Sequence, residues 1–236
     1  WKQHMGFHKA LQQQWDTDDG GARQQKHREM AKEVARRAAE TGSEYTKLLA
    51  EGLEYESKAD WRRAARAYRE AIAMKPDQAA LAYYNLGSVL SNSEHHVEAA
   101  QRFLEAKERC RVGSEGWAWA TACAWEELRK EECWEEVAKL EWWNDEELKA
   151  LSASVVRAAP DDDQANLMRA VVLDGVPDNE TCHSRESAPR SAAELKEAAA
   201  HYERAAALCP APAYTAMLAE CADECRTRAE AMRQIV

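Results

Sequence analysis

The sequence predicts an all-α protein built from antiparallel helix pairs packed one after another. Three observations carry that expectation. Helix formers dominate, while Gly (9) and Pro (6) are scarce among 236 residues. No stretch alternates apolar and polar residues in the manner of a strand. A pattern of small and aromatic residues also returns after 35 residues between positions 45 and 111.

Hydrophobic residues make up 45% of the chain, including nine Trp and seven Tyr, so a sizeable core can form and a disordered tail is excluded. The formal charge of −10 repels phosphate backbones, and Lys and Arg interleave with acids along helix faces, so no nucleic-acid partner is expected. No run approaches the ~20 apolar residues that span a bilayer, and the first 22 residues lack the apolar core of a cleavable signal. The seven Cys are odd in number and fall mostly on apolar helix faces, which reads as small buried hydrophobes in an intracellular, reducing compartment: cytoplasm first, organelle stroma or matrix second.

Residues 1–22 form an N-terminal extension, and 23–44 a leading helix with Met30, Val34 and Ala38 on one face. The first clear helix pair spans 45–78. Leu48, Gly52 and Tyr55 share one face, Ala59-Asp60 break the pattern, and Ala64, Tyr68 and Ala71 mark the second helix. Pro76 lacks a donor and stops it. The second unit, 80–113, repeats this grammar with Tyr83, Leu86, Gly87 and Leu90, then Ala99, Phe103 and Ala106. A third unit, 114–160, opens with Trp117, Ala120, Thr121 and Ala124. Its second helix begins after Asn144 as N-cap, carries Leu148, Leu151, Val155 and Val156 on its apolar face, and ends before Pro160. A fourth unit, 161–210, has Leu167, Ala170 and Val171, then Ala198, Tyr202 and Ala205. The last helix, 213–233, carries Tyr214, Met217, Leu218, Cys221 and Cys225 at three-and-four spacing, with Glu220, Asp223, Glu224, Arg226 and Arg228 on its outer face.

These residues resemble the tetratricopeptide repeat, whose period is about 34. Leu86-Gly87, Ala99, Phe103 and Ala106 are the strongest match, and the resemblance covers 45–233. It implies a right-handed superhelical stack of helix pairs, closed by 213–233. The segments 141–162 and 190–209 are also similar to helical-repeat proteins of unicellular algae, a resemblance that implies no activity.

The period lengthens in the third and fourth units, each of which carries about fifteen extra residues, at 129–144 and 174–190. Insertions at the same turn of adjacent units are expected side by side along one edge. The first, with Trp134, Trp142 and Trp143, either staples the longer turn onto its own helices or anchors a partner.

In such stacks the first helix of each unit lines a concave groove. The inward positions in this frame are Thr46, Leu49, Leu53 and Glu56, then Leu81, Tyr84, Ser88 and Asn92, then Ala118, Ala122 and Trp125. The family's best-known clamp grips acidic chain ends with Lys, Asn and Arg. Here Leu49 and Leu53 stand at two of those positions and only Asn85 matches, so a carboxylate would find no cation. An apolar or amphipathic peptide or helix of a protein partner suits the groove better.

Metal and catalytic readings fare poorly. Cys221 and Cys225 lie one turn apart but lack a second pair, Cys182-His183 needs distant help, and His95-His96 sit in an inter-helix turn where solvated residues are ordinary. No phosphate loop, nucleophile elbow or metalloprotease motif occurs, so neither cofactor nor metal is expected. The carboxylates interleave with cations as on a solvated face. The expectation is therefore a non-catalytic binding scaffold. The alternative is a structural subunit held in a larger assembly through the two insertions and the N-terminal extension.

Overall fold

A computed structural model of the chain describes residues 36, 40, 42–175, 190–209 and 211–233. The extension 1–22, most of the leading helix 23–44, Cys182-His183 and nearly all of the 174–190 insertion lie outside the described residues. Among those described, all regular structure is helical. The described residues divide into two compact bodies, one ending at Glu136 and the other beginning at Val137. The sequence predicts one domain over 45–233; the break falls inside the 129–144 insertion.

The first body contains α1 (Glu44–Glu56), α2 (Trp61–Met74), α3 (Ala80–Asn92), α4 (His96–Arg109) and α5 (Glu115–Leu128). Each packs against the next, as short connections require of antiparallel neighbours. Asp60 caps α2 by accepting from the Arg63 N–H at 3.2 Å, and Ser114 caps α5 through the Trp117 N–H at 3.3 Å. Pro76 opens a 3₁₀ turn directly after α2.

The two hairpins share their turn geometry at an offset of 35. Lys58, Ala59 and Asp60 donate to the carbonyls of Tyr55, Glu56 and Tyr55, and Ser93, Glu94 and His95 donate to those of Leu90, Ser91 and Leu90. The αL positions coincide too, with φ of 54° at Ala59 and 61° at Glu94. So do the close approaches. Gly52 lies under the Tyr68 ring and Gly87 under the Phe103 ring, each where a Cβ would overlap ring carbons. Ala64, Ala71, Ala99 and Ala106 are wholly buried around them.

After Leu128 the pattern stops. In place of an αL turn there is a 3₁₀ turn, Glu131–Cys133, packed on α4, followed by the single-turn α6 (Trp134–Val137).

The second body holds α7 (Asp145–Ala158), α8 (Asp163–Asp174), α9 (Ala192–Leu208) and α10 (Pro212–Arg233), again packed in succession. Asn144 caps α7 through the Glu147 N–H at 3.0 Å, as the sequence predicts. Ser191 and Glu194 form a reciprocal capping box at the start of α9. Ion pairs fasten these helices: Arg190 to Asp145, Lys149 to Glu194, and Arg169 to Glu197. Met217, Leu218, Ala222, Cys225 and Ala229 of α10 are buried against this core. Arg228, expected on the outer face, keeps part of its surface exposed and also pairs with the buried Asp174, because that carboxylate needs a counter-charge once it leaves water.

Candidate functional site

The α3 and α5 helices lie side by side in parallel register. Tyr84 Oη lies 3.6 Å from Cys123 Sγ, and farther along Ser91 Oγ donates to Glu127 Oε1 at 2.7 Å. That register aligns two stripes. On α3 it is Leu81, Tyr84, Ser88 and Asn92, none of them buried; on α5 it is Glu115, Trp119, Cys123 and Glu126, likewise unburied. Leu81 keeps 40% of its surface exposed and Trp119 39%. Tyr84 meets Phe103 edge-on, with centroids 5.4 Å apart, so its ring is braced from beneath.

The predicted groove is therefore partly right. Leu81, Tyr84, Ser88 and Asn92 form the open α3 stripe. Leu49, Leu53 and Trp125 do not join it: they are 4%, 1% and 3% exposed and belong to the interior. Leu49 and Leu53 pack into the same cluster as Ala64, Tyr68 and Leu86, where burying an aliphatic side chain stabilises by ~1.5–3 kcal/mol. Trp125 is covered, with the Arg129 guanidinium 4.5 Å from its ring centroid. Trp119 and Cys123 escape the sequence reading because the frame there advances by 34. The period across these units is 35, which carries Tyr84 to Trp119 and Ser88 to Cys123; one residue turns a helix face by about 100°.

The tryptophans of the first insertion are all half-buried. Trp142 and Trp143 pack on each other, centroids 5.6 Å apart, in the second body. Trp134 belongs to the first body, and its buried Nε1 has no hydrogen-bond partner.

A polar node underlies the open face. Glu127, 4% exposed, receives Lys130 Nζ at 3.0 Å on each oxygen, Ser91 on Oε1, and has His96 Nδ1 at 2.9 Å from Oε2. Burial pushes this carboxyl up, but the bonds and charge from His96, Lys130 and Ser91 outweigh it and hold it below the ordinary value. His96 is thus half-buried in a tertiary cluster rather than solvated in its turn. A second buried carboxylate, Glu56, accepts from the Tyr68 hydroxyl at 2.5 Å. A third, Asp174, accepts from Tyr202 at 3.2 Å and from Arg228.

Three buried or partly buried thiols are suppressed. Burial, then the Glu127 charge, pushes Cys133 up to about 11; burial, then Asp174, pushes Cys221 up to about 11; the same two causes raise Cys225 further. Among the described residues no group of three or more His, Cys, Asp and Glu is placed to hold a metal ion. A cleft of about 440 Å³ opens between the two hairpin turns, but its rim mixes Arg62, Arg69 and His95 with Asp60, and Glu98 already holds Arg69. Among the described residues no helix is long and apolar enough to cross a membrane.

No protein-family model matches the chain, and no curated protein matches it. The site is read from its own geometry. It offers two parallel helices with large apolar side chains facing solvent, Tyr84 braced from beneath by Phe103.

Proposed function

We propose that this chain is a non-catalytic interaction scaffold of the tetratricopeptide-like kind, binding a peptide or helical segment of a protein partner on the α3–α5 face. One observation carries the reading: Leu81 and Trp119 stay exposed, and the half-buried Tyr84 reaches from α3 to Cys123 of α5, on adjacent helices. Exposed aromatic anchors of this kind concentrate binding energy at interfaces. The recurrence of the turn bonds, the αL residues and the glycine–ring contacts at a 35-residue offset supports the tetratricopeptide-like architecture. Assembly through the 129–144 edge is less favoured, because its tryptophans are half covered by their own chain.

The test is affinity purification from the native source with the wild-type chain and with a Tyr84→Ala/Trp119→Ala double variant. Both should keep the same helical circular dichroism. A protein held by the first and lost by the second supports the proposal; identical captures overturn it.

A further inference from the structure

Among the described residues of the second body there is one histidine, His201 in α9, and its neighbours leave it a single neutral form. Asn166 of α8, 1% exposed, donates its two amide hydrogens to the carbonyls of Pro160 at 3.0 Å and Asp162 at 2.8 Å. Its side-chain oxygen therefore faces the imidazole, 3.0 Å from Nδ1. That oxygen can only accept, so Nδ1 carries the hydrogen and Nε2 of the neutral ring is bare.

Nε2 lies 3.9 Å from Glu197 Oε1, one turn back on the same helix. The same oxygen already receives Arg169 of α8 twice, from Nε at 3.0 Å and from one terminal nitrogen at 2.7 Å. The other terminal nitrogen donates to the Lys149 carbonyl at 2.7 Å and to Ser152 Oγ at 3.2 Å, both on α7. One guanidinium thus joins three helices, and its link to α9 is the carboxylate that a protonated Nε2 would also claim.

Glu197 and Arg169 are the charges that act on His201. Other charges on the surrounding helices have partners of their own: Arg204 pairs with Asp161, Lys149 with Asp145 and Glu194, Arg226 with Glu203 and Asp223, and Arg228 with Asp174. Burial pushes the His201 imidazole below its ordinary value of 6.5; the Glu197 charge opposes that and the Arg169 charge adds to it. The unfolded chain therefore binds this proton first as pH falls. The stability that neutral His201 contributes is full above about 6.5 and declines below it, a window above that of the carboxylates.

We infer that His201 is an acid-sensitive latch: a proton on Nε2 draws Glu197 away from Arg169 and loosens α9 from α8, while Arg169 keeps its bonds to α7. The inference is independent of the scaffold reading.

The experiment is amide hydrogen exchange of the full chain at about pH 7.5 and about pH 5.5, corrected for the intrinsic pH dependence of exchange, beside His201→Gln, which offers Asn166 an amide donor but does not titrate. Residues 192–208 should lose protection severalfold at the lower pH in the wild-type chain and keep it in His201→Gln. Equal loss in both chains, or loss in neither, overturns the inference. The exchange of partners has its own readout in the imidazole resonances, which serves even where the Gln variant fails to fold. Glu197→Gln still accepts from Arg169 but removes the charge, so it should move the His201 titration to lower pH; an unmoved titration overturns the inference as well.

Discussion

Replacing Gly52 by Ala sets two effects of opposite sign against each other. Gly52 lies inside α1, where Ala is favoured over Gly by roughly 0.5–1 kcal/mol, so propensity alone makes Gly52→Ala stabilising. The structure reverses the sign. The new methyl would stand 2.4 Å from Cε1 and 2.5 Å from Cζ of Tyr68. Overpacking of a tight core costs about 1–3 kcal/mol. The ring cannot swing aside cheaply, because its hydroxyl is bonded to the buried Glu56 and that bond would be lost. Gly52→Ala should therefore lose roughly 1–3 kcal/mol net. Gly87→Ala should lose less, under about 1 kcal/mol, since the Phe103 contacts are longer at 2.9 Å and no hydroxyl pins that ring. Urea denaturation followed by far-ultraviolet circular dichroism measures both. A double-mutant cycle with Tyr68→Leu isolates the clash as a favourable coupling. If Gly52→Ala proves neutral or more stable, the glycine–ring contact is not what holds the hairpin together.

The αL residues Ala59 and Glu94 each hold a conformation that costs an L-residue about 1–2 kcal/mol, offset in glycine by chain entropy; Ala59→Gly and Glu94→Gly should each raise the thermal midpoint, by about 0.5–1 kcal/mol of stability, and a fall in either would contradict the turn geometry. Arg228→Met strips the counter-charge from the buried Asp174 and should destabilise by about 1–3 kcal/mol. Arg226→Met, losing only exposed pairs with Glu203 and Asp223, should leave the urea midpoint unmoved; equal effects from the two changes would refute this distinction. Glu194 is held down to about 2 by Lys149 and the Ser191 cap, and Glu127 also sits below the ordinary carboxyl value of 4.5. The unfolded chain therefore takes up protons on these two groups first, so the stability they contribute is full above about 4.5 and declines as pH falls towards 2. Glu194→Gln should flatten that slope in a series of urea midpoints, and an unchanged slope counts against the Lys149–Glu194 pair.

Much of the fold was legible because small residues, aromatics and helix stops are local signals. Gly52, Gly87, Ala64 and Ala99 announce close packing in the sequence, and Asn144 and Pro160 mark the ends of α7. The face was half legible: Leu81 and Tyr84 were found, but Trp119 was lost to a one-residue error in period. The buried carboxylates were not legible at all. Glu56 reads as facing the groove, Glu127 and Asp174 look like members of a solvated acidic background, and what withdraws the three are groups 12, 31 and 54 residues away: Tyr68, His96 and Arg228. No local pattern encodes such a distance. Nor did periodicity reveal that the chain divides at 136–137.

The Glu127 node has a kinetic corollary. Its carboxylate is gripped by Ser91 from α3 and His96 from α4 as well as by Lys130 beyond its own helix, so the neighbours of the open surface cannot slide past one another without breaking a bond in the interior. Under the proposed function, a ligand arriving there would meet a template already set and need not order it, so little entropy would be surrendered on docking. Loosening the node, as in Glu127→Ala, should speed dissociation of a bound segment even though no atom of Glu127 needs to touch it.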